Sequence, residues 1–295
     1  TSTLSDWIHQ AAELLAPLGD RLRKLALGTG YLQVDETPIK VLDRDKKGST
    51  HRGFYWVYHA PVQNLVFFDY QESRGREGPR EQLKGYRGYL QTDGYPVYEE
   101  FGERKDIHHL CCMTHARRMF TDALENDAAR AEYVLARMQE LYAVERRVKG
   151  KPDAEITATR KQQAVPILSA LKAWMVENYP AVLPQSLTGK AISYALHRWD
   201  KLTLYTTQGM LQIDSNGVEN AIRPVAVGRK NYLFAGSHDG ARRAALIYTL
   251  LGTCKKNEVN PFEWMRDVLE RIPSHHASKL DELLPHNWKT ATNKS

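Results

Sequence analysis

The sequence predicts an α/β fold, a mixed sheet flanked by helices, with a helical insertion placed late in the chain. Three observations lead there. Segments rich in β-branched and aromatic residues, separated by turn-forming clusters, fill the stretch from Tyr31 to Cys112. From His115 to Thr206 the apolar spacing becomes helical. Hydrophobic residues make up 42% of 295 residues, enough for a substantial core, and 26% charged residues exclude wholesale disorder.

The elements follow in order. Leu4, Trp7, Ile8, Ala11, Leu14 and Leu15 recur at helical spacing. Pro17 is expected to break or kink that helix, with a second short one running to Gly28. Residues 31–42, 53–60 and 64–71 read as three antiparallel strands in a meander, with turns at 43–49 and 61–63. A short helix at 80–86 precedes a fourth strand at 88–93, which ends in the turn Asp93-Gly94-Tyr95-Pro96. A short helix at 96–102 leads to a fifth strand at 106–112. One long helical segment then ends at Lys149, before Gly150 and Pro152. Others cover 153–177, with Pro166 inside, and 187–204. A strand-like piece at 210–213, a segment at 218–226 and a helical run at 240–272 complete the pattern.

The order β-β-β-α-β-α-β followed by helices matches a ribonuclease H-like arrangement. It divides the chain into an N-terminal helical segment (1–28), the first part of a core (29–112), a helical insertion (113–208), the last part of the core (209–273) and a tail (274–295).

Several classes of protein are disfavoured. The longest nearly apolar run, residues 244–254, is too short to span a bilayer, and no signal peptide is visible. Three cysteines, Cys111, Cys112 and Cys254, give no disulfide framework. A cytoplasmic protein without membrane contact is expected. The net charge is +6, and seven basic residues stand against two acids between Glu219 and Lys256. A polyanion-binding surface needs such a segment, although a solvated helix face produces the same count.

Three acids carry the chemistry. Asp35 lies inside the first strand, where an ionised carboxylate is costly unless a cation or hydrogen bond compensates it. Asp93 ends the fourth strand, which neighbours the first in this topology, and Glu219 is expected on a late helix packed against that edge. Converging carboxylates repel one another, and hard divalent cations relieve the repulsion. Two ions about 4 Å apart support in-line phosphoryl displacement. Each acid also has a plain reading: a strand edge, a turn dipeptide, or for Glu219 a helical pair with Arg223. Glu36 is the alternative first-strand acid, ranked below Asp35 because neighbours on a strand point to opposite faces.

Longer motifs add to this. Val34-Asp35-Glu36-Thr37-Pro38, Gln91-Thr92-Asp93-Gly94-Tyr95, Cys112-Met113-Thr114-His115-Ala116-Arg117-Arg118, the stretch from Asn216 to Ser237, and Asp281-Glu282-Leu283-Leu284-Pro285-His286-Asn287-Trp288 resemble transposases of the insertion sequence 66 family. The resemblance spans essentially the whole chain. It implies a DDE transposase core of ribonuclease H-like fold, with catalytic and metal-holding acids at Asp35, Asp93 and Glu219 and two ions of Mg²⁺ or Mn²⁺. It implies transposon-end and target DNA as partners, and leaves room for a homodimer on DNA and accessory transposition proteins. Family members carry a DNA-binding half before this core, of which only a tail is expected at residues 1–27. A catalytically silent DNA-binding remnant and a ribonuclease H-like nuclease without strand transfer are the rival readings.

Secondary groups are weighed the same way. His108, His109, Cys112 and His115 include a Cys-x-x-His pair, but no second pair follows at finger-like spacing, so buried cysteines are preferred to zinc. His115, Arg117 and Arg118 are expected to face the acidic site or DNA, and Arg223, Arg229 and Lys230 to grip phosphates. Core packing is expected for Tyr232, Phe234, Trp174, Trp199 and Trp264, and Glu99 and Glu100 read as a solvated helix face.

Overall fold

In the computed structural model, which describes residues 2–43 and 48–292, the chain divides into two compact units. These are Thr1–Gly88 with Gly217–Ser295, and Tyr89–Asn216. Most of the turn read at 43–49 lies outside the described residues. Strands β1 (Tyr31–Leu42), β2 (Thr50–Ala60), β3 (Leu65–Gln71), β4 (Gly88–Thr92) and β5 (Ile107–Cys111) form an α/β sheet in the order β3-β2-β1-β4-β5.

In the first unit, β1 to β3 are an antiparallel meander of unbroken register, with Asp35 opposite Val57 and Val57 opposite Phe68. Alternation puts Gln33, Asp35, Thr37, Ile39 and Val41 on one face and Val34 and Glu36 on the other. The first face is covered by two late helices, α10 (Asn216–Gly228) and α11 (His238–Lys256). Ile39, Val41, Tyr55, Val57, Phe68 and Tyr70 pack there against Val218, Ala221, Ile222 and Val225 of α10 and Ala241 and Ala245 of α11.

Helix α11 also seals the outer edge of β3. The Phe68 N–H donates to Thr249 Oγ1 at 2.9 Å, and Thr253 Oγ1 donates to the Val66 carbonyl at 3.1 Å. An unpaired strand edge is a pairing hazard, and two threonines one helical turn apart remove it here.

Helix α1 (Ser2–Leu27) continues through Pro17, contrary to the expected break. Leu15, Leu18, Leu22 and Ala26 are fully buried at three- and four-residue steps on both sides of the proline, whose own ring is exposed. Burial of that stripe, about 2 kcal/mol per large side chain, offsets one missing hydrogen bond. Helix α2 (Glu77–Gln82) lies a few residues before its expected place, and α12 (Pro261–Arg271) and α13 (Pro285–Thr292) close the unit. The run expected at 240–272 is broken at Asn257–Asn260, where the Asn260 side chain accepts from Phe262 N at 3.0 Å and caps α12.

The second unit holds α3 (Glu99–Gly102), α4 (Met113–Ala123), α5 (Ala128–Val148), α6 (Asp153–Thr159), α7 (Val165–Asn178), α8 (Leu187–His197) and α9 (Trp199–Thr203). The segment expected as one helix to Lys149 divides because Asp127 caps α5, accepting from Arg130 N at 3.2 Å. Residues 210–213 form no strand. Their neighbourhood is held by donors other than a ladder: Arg160 Nη2 to Leu211 O (2.9 Å), Gln91 Nε2 to Gln212 O (2.9 Å) and Met113 N to Ile213 O (3.1 Å).

Arg160 opens a single π-helical turn, Arg160–Ala164, between α6 and α7. Its guanidinium is 3% exposed, pairs with Glu145 at 2.6 Å, and donates to the carbonyls of Tyr205, Gln208, Gly209 and Leu211. Trp199 and Trp264 are buried, whereas Trp174 stacks on Tyr133 at the surface, ring centroids 4.4 Å apart. Among the described residues no helix is long and apolar enough to cross a membrane.

Arg160→Met removes a buried charge and strands Glu145 together with four carbonyls. A loss of about 3–5 kcal/mol is expected, read as a fall in the urea midpoint of the second unit's unfolding.

Candidate functional site

The first unit carries two of the expected acids. Asp35 is half-buried on the α10-covered face of β1, and its Oδ1 accepts from Glu36 N at 2.8 Å. Glu36 points to the opposite face, where Arg74 holds its carboxylate at 2.5 Å and leaves the side chain 2% exposed. The alternative acid is therefore already neutralised by a partner.

Glu219 sits in the first turn of α10, whose seating is fixed by a close approach. A Cβ at Gly217 would fall 2.6 Å from Gln33 Oε1 and 2.6 Å from His59 Nδ1, so only glycine lets the helix lie this near β1 and β2. His59 Nδ1 pairs with Gln33 Oε1 at 3.0 Å, and Lys256 Nζ donates to the Gly217 carbonyl at 2.7 Å. Asp35 and Glu219 thus belong to one helix-on-sheet layer. Glu219 Oε1 is buried and has no hydrogen-bond partner among the described residues, so the helical pair with Arg223 is not what holds it.

The basic residues separate into two kinds. Arg223 and Lys230 are exposed. Arg229 donates to the Pro38 carbonyl at 2.6 Å, beside the parallel bridge between Val41 and Ala235. Arg242 is tied to Glu72 and Asp239, and Lys256 to Gly217, so part of the basic segment serves the fold. Tyr232 packs on the core as expected, but Phe234 stays 39% exposed, because the 228–237 loop lies along an edge of β1.

In the second unit, Asp93 ends β4, and its Oδ1 accepts from Tyr95 N at 2.8 Å. The Asp93-Gly94 backbone is gripped by α8 and its C-cap: Tyr194 donates its hydroxyl to the Asp93 carbonyl at 2.7 Å, and Arg198 Nη2, at the cap, donates to the Gly94 carbonyl at 3.3 Å. Gly94 has φ +86°, and a Cβ there would sit 2.8 Å from Arg198 Nε and 2.9 Å from Tyr194 Oη. Glu99, expected on a solvated helix face, keeps 42% of its side chain exposed and also pairs with Lys201 and, at 3.7 Å, with Arg198. Burial raises the Glu99 carboxyl, but Lys201, His109 and Arg198 outweigh it and hold it below the ordinary value. Sequence reasoning missed Tyr194, Arg198 and Lys201; their spacing of four and three residues was the available signal.

The cysteines are buried. Cys112 Sγ accepts from Ser215 N at 3.2 Å, and burial pushes its thiol up. His109 Nε2 pairs with Thr92 Oγ1 at 2.9 Å, leaving it committed to the fold. His115 is half-buried with Nδ1 unbonded among the described residues, and Arg117 and Arg118 are exposed on α4.

Comparison with known proteins agrees with the motifs. The family described as Transposase IS66 family matches residues 1–243, and the IS66 C-terminal element matches residues 249–286. The chain is 32% identical to the uncharacterized protein y4hP of Sinorhizobium fredii over 317 residues, covering 99% of the chain and 57% of that protein. It is 30% identical to y4jD of the same organism, covering 97% and 59%, and 32% identical to y4qI, covering 98% and 56%. The chain therefore spans less than two thirds of these relatives' length.

Two buried histidines make stability pH-dependent. Burial, with the nearby Lys256 charge, pushes His59 down to about 3, and burial with Lys201 pushes His109 down to about 4. Both are neutral in the folded chain while the unfolded chain titrates near 6.5. Their contribution is present above that value and is lost as pH falls toward 4 and then 3. The urea midpoint is expected to drop between pH 7 and pH 4.5, and to drop less in His59→Gln.

Proposed function

The chain belongs to the IS66 transposase family, and from that premise we propose that it is the catalytic part of a DDE transposase with a ribonuclease H-like core. Asp35, Asp93 and Glu219 hold two Mg²⁺ or Mn²⁺ ions, and the substrates are transposon-end and target DNA. The observation that carries the reading is Glu219 Oε1, a buried carboxylate oxygen with no hydrogen-bond partner among the described residues. Burying such an oxygen costs free energy unless a cation completes it. The donor set fits: all three side chains offer hard oxygens, as Mg²⁺ requires.

When bound, the ions supply charge neutralisation at the phosphodiester and a readily ionised water. The chain's own residues position the DNA. Arg223 and Lys230, exposed at α10 and just after it, meet phosphates by charge alone, and Arg117 and Arg118 do so from α4. Water attacks phosphorus at the element's end and the 3′-oxygen leaves as a hydroxyl. That 3′-OH then attacks a target phosphodiester, forming one bond as another breaks.

Asp93→Asn in the full-length protein is expected to cut end cleavage by about a thousandfold or more, with DNA affinity unchanged or slightly raised. Cleavage at the wild-type rate overturns the assignment. Nicking without joining selects the nuclease, and DNA binding without nicking selects the silent remnant. Arg223→Gln and Lys230→Gln should each weaken binding equally across sequences and reduce the slope of log affinity against log salt by about 1.

A further inference from the structure

We propose that the helical segment following β5 is a positioning device for Asp93, acting through Tyr194 and Arg198 of the second unit; this rests on the metal-holding reading above. Tyr194 lies on α8 and Arg198 caps its C-terminal end, four residues on, and the two side chains reach two successive carbonyls, those of Asp93 and Gly94. Two adjacent peptide planes are thereby oriented from outside the strand. Gly94 lies at positive φ, and the Tyr194 and Arg198 side chains fill the place that a side chain would take there.

The donors are themselves fixed. Arg198 stacks over the Tyr194 ring, its Cζ 4.4 Å from the centroid, and reaches Glu99 at 3.7 Å. Glu99 is the first residue of α3, a few positions beyond the turn, and it also binds Lys201. The chain thus closes a loop of contacts from Asp93 through Glu99 and Lys201 to Arg198 and Tyr194. A guanidinium that stacks, donates and pairs at once is a geometric clamp, which an ammonium could not reproduce. Simple packing of α8 would need only its apolar residues; Ala191, Ile192 and Ala195 already provide that burial. The polar pair instead addresses the one turn that carries a metal-holding acid, where small displacements cost large factors in rate.

The test uses the full-length protein with Mn²⁺ as the calorimetric probe, and cleavage measured against Mg²⁺ concentration. Tyr194→Phe and Arg198→Gln are each expected to raise the Mn²⁺ dissociation constant about five- to tenfold and to move the Mg²⁺ midpoint by a similar factor. Leu171→Ala, in the core of the same unit, should lower thermal stability without moving either midpoint. Arg198→Gln provides the same readout should Tyr194→Phe fold poorly. Wild-type Mn²⁺ affinity in both folded variants, while Asp93→Asn loses it, overturns the positioning role and leaves the metal reading intact. Unchanged Mn²⁺ binding in Asp93→Asn overturns both. A midpoint shift in Leu171→Ala, or full rescue by Arg198→Lys, also overturns it, the first by showing a general stability effect and the second a charge effect.

Discussion

An ionised carboxylate on a sheet face that a helix covers is costly unless donors or cations meet it, and β1 carries acids on both of its faces. On one side Arg74 closes around Glu36. On the other, Asp35 shares a layer with α10, whose approach depends on Gly217 lying flat against Gln33 and His59. That layer is polar near Gln33 and His59 and apolar from Ile39 onward. The polar end is therefore confined to the stretch of β1 that carries Asp35, while the apolar end supplies the burial that holds α10 down. His59 remains neutral within it, and Lys256 brings a positive charge to the helix start.

The second unit solves a related problem with different means. Its stretch between α9 and α10 starts as a short 3-10 turn, Leu204–Thr207, and then has no ladder to satisfy its carbonyls, and Arg160 meets four of those between 205 and 211 from a π-helical turn. A buried arginine is a poor source of net stability but a strong source of specificity in geometry. The unit spends a helical irregularity, of the kind often found at functional sites, to fix the path of the chain just before Asp214 and Ser215.

Much of this was legible in the sequence. The bounds of β1, the five strands and the Asp93 turn follow from alternation and turn chemistry, which are local. Pro17 misled because its local cost is overridden by a buried stripe that only the partner helix reveals. Residues 210–213 misled because apolar alternation does not distinguish a ladder from carbonyls met by side chains. The ion pairs of Glu99 were not visible because its partners, Lys201 and Arg198, lie about a hundred residues away. Of the candidate site, the acids were visible as residue types in strand and turn contexts, while the groups that orient Asp93 were not, since no local pattern marks a tyrosine whose target is a distant carbonyl.

The threonines of α11 have a consequence for how copies of this protein can associate. Sheets commonly grow by adding a strand to an open edge, from another molecule or from an unfolded segment. At β3 that growth would require Thr249 and Thr253 to surrender their hydrogen bonds and α11 to lift from Val66 and Phe68. The β3 side is thus closed to intermolecular strand exchange, so a crowded or partly unfolded population has one fewer route into cross-β aggregates.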